Sequence, residues 1–173
     1  MKKLLFFIVL LAVSNCLKAQ ELKSEFLFDL QIDLDRQQAI GPVLKGTRVI
    51  FPFKGGDIKG NTITGKILEC SGEWGLVVDS TTFKMDCRVT VQTDEGALIY
   101  IAYTGYNYVA PPKNAIMNAG KGYELSPSDY YFRSTPVFET SSPKYAWLNH
   151  TIAVGVGRFV GPGKLVYKIY AIK

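Results

Sequence analysis

Alternation of apolar and polar side chains with a period of two is the strongest constraint in this sequence. In FLFDLQIDL, residues 26–34, the apolar residues fall on one face of a strand, and Asp29, Gln31 and Asp33 fall on the other. Further β-rich runs occur at 47–53, 62–70, 76–78, 83–92, 97–103, 132–138, 151–159 and 165–172. Because glycine-rich or polar turns separate these short runs, the pattern predicts an antiparallel barrel or sandwich.

Residues 1–20 do not alternate; they combine a basic start with a continuous apolar run. Lys2 and Lys3 form a positive start, residues 4–13 form a short apolar core, and Ala19 is a small residue before a plausible cleavage point. The apolar run is shorter than the ~20 residues that a membrane-spanning helix needs. The pattern therefore predicts a signal peptide over residues 1–20, and no later stretch predicts a membrane span.

Removal of this segment changes the charge balance of the protein. Its only charged residues are Lys2, Lys3 and Lys18, so the formal net charge falls from +5 to +2. Nucleic acid is therefore a poor candidate partner. The remaining residues, 21–173, suit one domain with a substantial core. We expect this domain to be periplasmic or secreted.

A hairpin with a defined register follows from MDCRVTVQTDEGALIYIAY, residues 85–103. Gly96 suits a three-residue loop that ends in a left-handed glycine. This loop pairs Val91 with Ile99 and Val89 with Ile101, and it sorts the side chains cleanly between two faces. One face is Cys87, Val89, Val91, Ile99, Ile101 and Tyr103; the other is Asp86, Arg88, Thr90, Gln92, Leu98, Tyr100 and Ala102.

A long segment rich in tyrosine and proline, residues 105–134, interrupts the strand pattern. A loop of this length inside a compact domain is usually functional or mobile. Within it, SPSDYYF predicts a single helical turn capped by Ser126 or Ser128. Further on, SSPKYAWLN predicts another, with Ser142 as cap and Pro143 at the first helical position.

Several stretches resemble one family of bacterial and fungal proteins. They are GGDIKGNTITGKILE, SGEW, MDCRVTVQTDEGALIYIAYTG, YYFRSTPVFETSSPKYAWLNHTIAVGVG and VYKIYAI, and they cover most of residues 26–172. The family is the domain of unknown function 3237, also called uncharacterised protein family 0311. The resemblance implies a single antiparallel β-barrel, with lipocalin-like closure, and no settled activity.

The resemblance also suggests residues of interest. Trp74, Asp86, Arg88, Asp94, Gly96, Arg133, Glu139, Trp147, Leu148 and Asn149 match the family's typical residues. This chain departs from the pattern at Cys70, where a glycine-rich turn is usual, and at Cys87, where a small residue is common. The family's Asp-Trp pair is Glu73-Trp74 here, so the resemblance does not by itself extend a shared acid–base role to Glu73.

Asp86 and Arg88 are candidate site residues because they share one face of the hairpin. They could form an exposed ion pair of little energetic value. Alternatively, they could form the polar floor of a barrel cavity, where Arg88 binds a carboxylate or carbonyl and Tyr100 completes the lining. The candidate ligand-binding residues are Trp74, Asp86, Arg88, Tyr100, Arg133, Trp147 and Asn149.

The cysteines and histidine limit the other chemistries. Export would permit a disulfide between Cys70 and Cys87, although Cys87 falls on the apolar face of its hairpin. His150 is the only histidine, and together with two separated cysteines it does not make a zinc site. We therefore expect neither a metal nor a cofactor.

Two main functions remain, with a third behind them. The first is an exported barrel that binds a small organic molecule, with the long loop as its lid and Arg88 as its anchor. The second is a cofactor-independent isomerase, cyclase or lyase that uses Asp86 or Glu73 as acid or base. A raised pKa of a buried carboxyl group would favour the enzyme. The third is a subunit-association module, and the oligomeric state stays open.

The first and last strands predict how the barrel closes. An antiparallel register that sets Asp29 opposite Lys168 also sets Asp33 opposite Lys164. The same register aligns the apolar residues of both strands, including Leu30 with Tyr167. A slip by one residue would misalign both the charged pairs on one face and the apolar pairs on the other.

We expect the exported protein to begin near Gln20 or Glu21, because the cleavage pattern ends there. N-terminal sequencing of protein recovered from its own host checks this. A lipid-modified Cys16 at the new N-terminus would contradict it and would place the protein on a membrane surface.

Overall fold

The computed structural model of the protein describes residues 21–173, and β-strands make up most of them. The prediction of a signal peptide over residues 1–20 lies outside the described residues. The strands are β1 (Ser24–Leu34), β2 (Gln38–Val43), β3 (Gly46–Gly60), β4 (Thr64–Ile67), β5 (Gly72–Glu73), β6 (Leu76–Val77), β7 (Thr82–Thr93), β8 (Leu98–Val109), β9 (Tyr130–Glu139), β10 (Ala153–Gly161) and β11 (Lys164–Ile172). A short helix, α1 (Asn114–Asn118), and 3₁₀ turns at Gly122–Glu124, Pro127–Asp129 and Pro143–His150 complete the described elements.

The strands close into a barrel in which all pairs are antiparallel. The order of neighbours is β1-β11-β10-β9-β8-β7-β4-β3, and β3 returns to pair with β1. The short strands β5 and β6 also pair with β3 and β7, so they share the β4 position in the wall. The result is an eight-stranded barrel, and it confirms the all-β barrel predicted from the sequence.

The predicted register between the first and last strands is confirmed. Asp29 lies opposite Lys168 and Asp33 lies opposite Lys164, and each pair has a nitrogen–oxygen distance of 3.2 Å. Leu30 faces Tyr167 on the buried side. Charge on the outer face and apolar burial on the inner face therefore select the same alignment.

The predicted hairpin register is also confirmed. Val91 pairs with Ile99 and Cys87 pairs with Tyr103 across β7 and β8. Gly96 has φ +87°, a backbone conformation that side chains with a Cβ rarely adopt, and its N–H donates to the Thr93 carbonyl at 2.8 Å. The face that carries the apolar residues points into the barrel.

The long loop is shorter than the sequence indicated. β8 continues to Val109 and β9 begins at Tyr130, so the loop spans residues 110–129 rather than 105–134. Its flanks pair as a ladder in which Tyr106, Tyr108 and Tyr131 lie on the outer face, while Tyr130 is buried. The predicted turn at Pro127–Asp129 is present, and the Ser126 hydroxyl accepts a hydrogen bond from the backbone of Ser128. The turn over Pro143–His150 also begins as predicted after Ser142.

The barrel interior is packed in one half only. Leu30, Val89, Val91, Ile101 and Ile169 are almost completely buried and fill the half near the Thr93–Ala97 turn. Larger aromatic residues line the other half and leave a cavity. Among residues 21–173, no helix is both long and apolar enough to cross a membrane.

The charge pairs between β1 and β11 predict a reciprocal mutational effect. Asp29→Lys should lower the free energy of unfolding by about 1 kcal/mol, because it replaces an attraction across the ladder with a repulsion. Adding Lys168→Asp should restore part of that loss by reversing the pair. Urea denaturation of both single variants and the double variant measures the coupling. Strictly additive losses would show that the pair does not contribute to the register. The Lys168 ammonium also lies 5.1 Å from the Phe26 ring, so incomplete recovery is expected.

Candidate functional site

A cavity of about 580 Å³ occupies the half of the barrel that side chains do not fill. Small-molecule sites in proteins commonly have volumes of this order. Its walls are mainly aromatic and aliphatic, with Phe51, Phe53, Phe83, Phe132, Phe159 and Tyr167 among them. A few polar groups lie among these apolar surfaces.

Aromatic rings form one continuous wall of the cavity. Phe132 stacks on Phe159 with ring centres 5.1 Å apart and planes 21° from parallel. Tyr167 meets the edge of Phe132 at 5.0 Å and that of Tyr103 at 5.2 Å. Rings that brace one another in this way form a rigid apolar surface, which suits an aromatic ligand.

The loop between β8 and β9 covers the mouth of the cavity. Met117 of α1 lines the cavity, as do Asn114 and Asn118. The side-chain amides of Asn114 and Asn118 both donate to the Ser80 carbonyl at 3.3 Å, which ties α1 to the turn before β7. Opening of this cover would give access to the interior.

Three chemically active side chains form one row across the inner wall. Glu73 on β5 pairs with Cys87 on β7, and Cys87 pairs in turn with Tyr103 on β8. Directly opposed residues on one face of a sheet have their Cβ atoms about 5 Å apart. All three residues line the cavity.

Glu73, at one end of this row, is its carboxyl group. It is 5% exposed, its Oε1 accepts from the backbone N–H of Asp86 at 2.7 Å, and its Oε2 accepts from the Cys87 thiol at 2.6 Å. Burial raises the pKa of Glu73 to about 7, although these two hydrogen bonds act in the opposite direction. The carboxyl group can therefore hold or release a proton near neutral pH.

Within residues 21–173, no ion pair offsets the burial of Glu73. The positive charge of Arg48 lowers the pKa of Glu73 by less than burial raises it. The Arg48 guanidinium instead donates to the backbone carbonyls of Trp74 and Gly75. Buried carboxylates that serve only structure are usually paired with a cation, so this arrangement leaves Glu73 available for chemistry.

The other members of the row are uncharged. Burial raises the pKa of the Cys87 thiol and of the Tyr103 and Tyr167 hydroxyls well above their ordinary values. Cys87 is therefore a hydrogen-bond donor here rather than a thiolate nucleophile. Within residues 21–173 no three histidine, cysteine or acidic side chains cluster in a way that could hold a metal ion.

The prediction that Asp86 and Arg88 point into the cavity is wrong. Both lie on the outer wall, with side chains 42% and 48% exposed, and they form an ion pair with each other at 3.0 Å. Arg88 also stacks over the Trp74 ring at 5.4 Å, and Tyr100 shares the outer face. The apolar face of the hairpin must be buried, so its polar face is left outside.

The remaining predicted ligand-binding residues also lie away from the cavity. Arg133 stacks over the ring of Tyr131 at 5.2 Å on the outer surface. Trp147 is 42% exposed. The side chain of Asn149 makes two hydrogen bonds to the backbone of Thr140, at 2.8 and 2.9 Å, which hold the Pro143–His150 turn against the end of β9.

The disulfide that the sequence permitted between Cys70 and Cys87 is not formed. Cys70 and Cys87 are both free, because Cys70 lies in an exposed turn at φ +64° while Cys87 is buried inside the barrel. Alternation along β7 turns Cys87 inward, toward Glu73, and away from the surface on which Cys70 lies.

Among the residues predicted to be catalytic or ligand-binding, only Glu73 lines the cavity. Tyr103 and Cys87 lie on the apolar face of the hairpin, and the sequence alone leaves open which face lines the interior. Their polar atoms at inward positions were the available signal. Asn107 also lines the cavity, but it lies within residues 105–134, which the sequence predicts to be a loop.

The fold and the site define this protein as an antiparallel β-barrel with an internal cavity and, among its described residues, a buried carboxyl group in the cavity wall. Residues 22–172 match the family described as Protein of unknown function (DUF3237), and the chain belongs to that family.

Individual relatives support the same conclusion. A UPF0311 protein of Clostridium acetobutylicum is 32% identical over 155 residues, which cover 88% of this chain and 96% of the relative. The solved structure of a β-barrel-like protein from Acinetobacter baumannii superposes with a TM-score of 0.77 at 33% identity, covering 91% of this chain and 99% of its own. An enzyme from Penicillium herquei has the same fold, with a TM-score of 0.65 and 20% identity over 90% of this chain and 98% of its own.

The raised pKa of Glu73 predicts a specific dependence of stability on pH. Between the ordinary value of 4.5 and about 7, the folded protein binds more protons at Glu73 than the unfolded chain does. The free energy of unfolding should therefore fall by roughly 3 kcal/mol as pH rises across this range, relative to the Glu73→Gln variant. Urea denaturation of both proteins at several pH values measures the difference. Parallel curves would contradict the assignment.

Proposed function

We propose that this protein binds a small, largely apolar organic molecule inside its barrel, and that Glu73 exchanges a proton with that molecule. The reaction class is that of a cofactor-independent isomerase, cyclase or lyase. The protein would belong to the periplasm or the extracellular space, as the sequence of residues 1–20 indicates.

The observation that supports this proposal most strongly is the position of Glu73. A carboxyl group in the wall of an apolar cavity, with its pKa raised to about 7, has the protonation equilibrium that general acid–base catalysis at neutral pH requires. Exclusion of water would strengthen its interactions with a bound molecule. The Tyr103 hydroxyl in the same row is an O–H donor that could stabilise negative charge as it develops on the substrate.

Likeness to the Penicillium herquei protein adds only the fold to this argument. That protein is described as an enzyme, and at 20% identity the likeness says nothing of its reaction here. It does mean that an enzyme can be built on this barrel. The function itself rests on the residues of the site.

Binding without chemistry is the second candidate. Both oxygens of Glu73 already accept hydrogen bonds from the protein, so the carboxyl group is satisfied without a ligand. A carrier or sensor would need only the apolar cavity and its cover. The two candidates differ in whether Glu73 takes part in a reaction.

A general proton-abstraction assay tests the catalytic proposal. In 5-nitrobenzisoxazole, removal of the ring C–H proton by a base breaks the N–O bond and releases a coloured cyanonitrophenolate. We expect the protein to accelerate this ring opening, with a rate that rises with pH through about 7 as Glu73 becomes ionised. Glu73→Gln should lower the rate at least ~100-fold, because the base is removed while the shape of the site is kept.

Glu69→Gln is the matched control, because Glu69 is an exposed glutamate in the turn before β5. It should leave the rate unchanged. Equal rates for wild type and Glu73→Gln would remove the catalytic proposal. Retained binding of an apolar dye would then favour the carrier.

A further inference from the structure

We infer that the cavity takes a planar ring compound with a polar group at each end. One end carries a hydroxyl or carbonyl that pairs with Tyr103, and the other carries a hydrogen-bond donor that pairs with Asn107. This inference rests on the proposed function, since it names the class of molecule that the same cavity would bind.

Tyr103 supplies the first observation. Its side chain is 3% exposed and lines the cavity. Its hydroxyl lies close to Cys87 and Tyr167 but makes no hydrogen bond of good geometry to any described residue. Buried hydroxyl groups are nearly always paired, because an unpaired one loses its bonds to water without replacement. An oxygen of the ligand would supply the missing partner.

Asn107 supplies an independent observation. It is 6% exposed and lines the same cavity, and its Nδ2 faces the Met117 sulfur at 3.8 Å. Sulfur acts there as a weak acceptor, which fixes the amide with its nitrogen toward the loop. Asn107 Oδ1 is left without a partner among the described residues, and it can only accept. The ligand must therefore carry a hydroxyl or N–H at this end.

A third buried oxygen without a partner, Ser134 Oγ, does not belong to this pattern. It lies against Gly155 of β10 and does not line the cavity. The two unpaired groups that line the cavity therefore lie on one strand, β8.

Their spacing sets the length of the ligand. Tyr103 and Asn107 are four residues apart on the inner face of β8, which separates their Cα atoms by about 13 Å. A single ring is too short to approach both groups, whereas two or three fused rings are long enough. The aromatic wall of Phe132, Phe159 and Tyr167 offers apolar contact to such a body.

The placement also connects the ligand to the reaction. Because Tyr103 and Glu73 flank Cys87 in one row, an oxygen bound at Tyr103 brings the adjoining part of the ring toward Glu73. The Tyr103 hydroxyl would then hold the oxygen while Glu73 exchanges the proton. Asn107, at the opposite end beneath α1, would set the orientation.

Three probes of matched shape test this assignment by calorimetric titration: 2-methylnaphthalene, 2-naphthol and 2,6-dihydroxynaphthalene. Tyr103→Phe should weaken 2-naphthol binding roughly 3- to 10-fold and leave 2-methylnaphthalene within about twofold. Asn107→Leu should weaken 2,6-dihydroxynaphthalene by a similar factor and affect 2-naphthol less. Tyr100→Phe, on the outer face, is the control for loss of a tyrosine hydroxyl and should change none of these affinities.

Equal weakening of all three probes by Tyr103→Phe, or no weakening at all, would overturn the assignment. Failure of all three probes to bind the wild-type protein would do the same, because the cavity must admit a ring body of this size. Thermal melting of each variant separates lost binding from lost folding. The ring-opening assay on Glu73→Gln reports on catalysis independently, so a carrier with this ligand preference would be recognised as such.

Discussion

Closure of the sheet on itself is the constraint on which the rest of this structure depends. β1 pairs with β11 on one side and with β3 on the other, so the barrel wall has no free edge at its seam. Closure divides every strand into an inner and an outer face. The registers of β1 and of the β7–β8 hairpin then decide which side chains meet inside, because a slip of one residue would exchange the two faces.

The inner faces do not fill the barrel evenly, and the cavity follows from that. Branched aliphatic residues such as Val89 and Ile101 pack the half near the Thr93–Ala97 turn. Rings such as Phe132 and Tyr167 line the other half, where they brace one another and leave space at the centre. Glu73 lies at this boundary, where burial raises its pKa to about 7. The uneven filling of the barrel therefore accounts both for the cavity and for the raised pKa of Glu73.

Polar residues on the strands proved a poor guide to the site. Asp86 and Arg88 neutralise each other on the outer wall, where water satisfies them. Tyr103 and Asn107, which line the cavity without a good hydrogen-bond partner among the described residues, lie on the inner face of β8, and Tyr103 belongs to the face that the pattern marks as apolar. In a barrel that binds apolar molecules, the informative polar groups are the few that point inward, because there each unsatisfied group is costly.

Local pattern by itself determined the strands, the three-residue turn at Gly96, the pairing of Asp29 with Lys168, and the presence of a glutamate at position 73. These depend on period and on neighbours along one or two strands. Only the tertiary structure decided that β5 turns Glu73 inward to meet Cys87, that residues 105–109 continue β8, and that the cysteines lie apart. Each of these depends on contacts between strands distant in sequence, and on the way unequal side chains fill a closed interior, which no local period encodes.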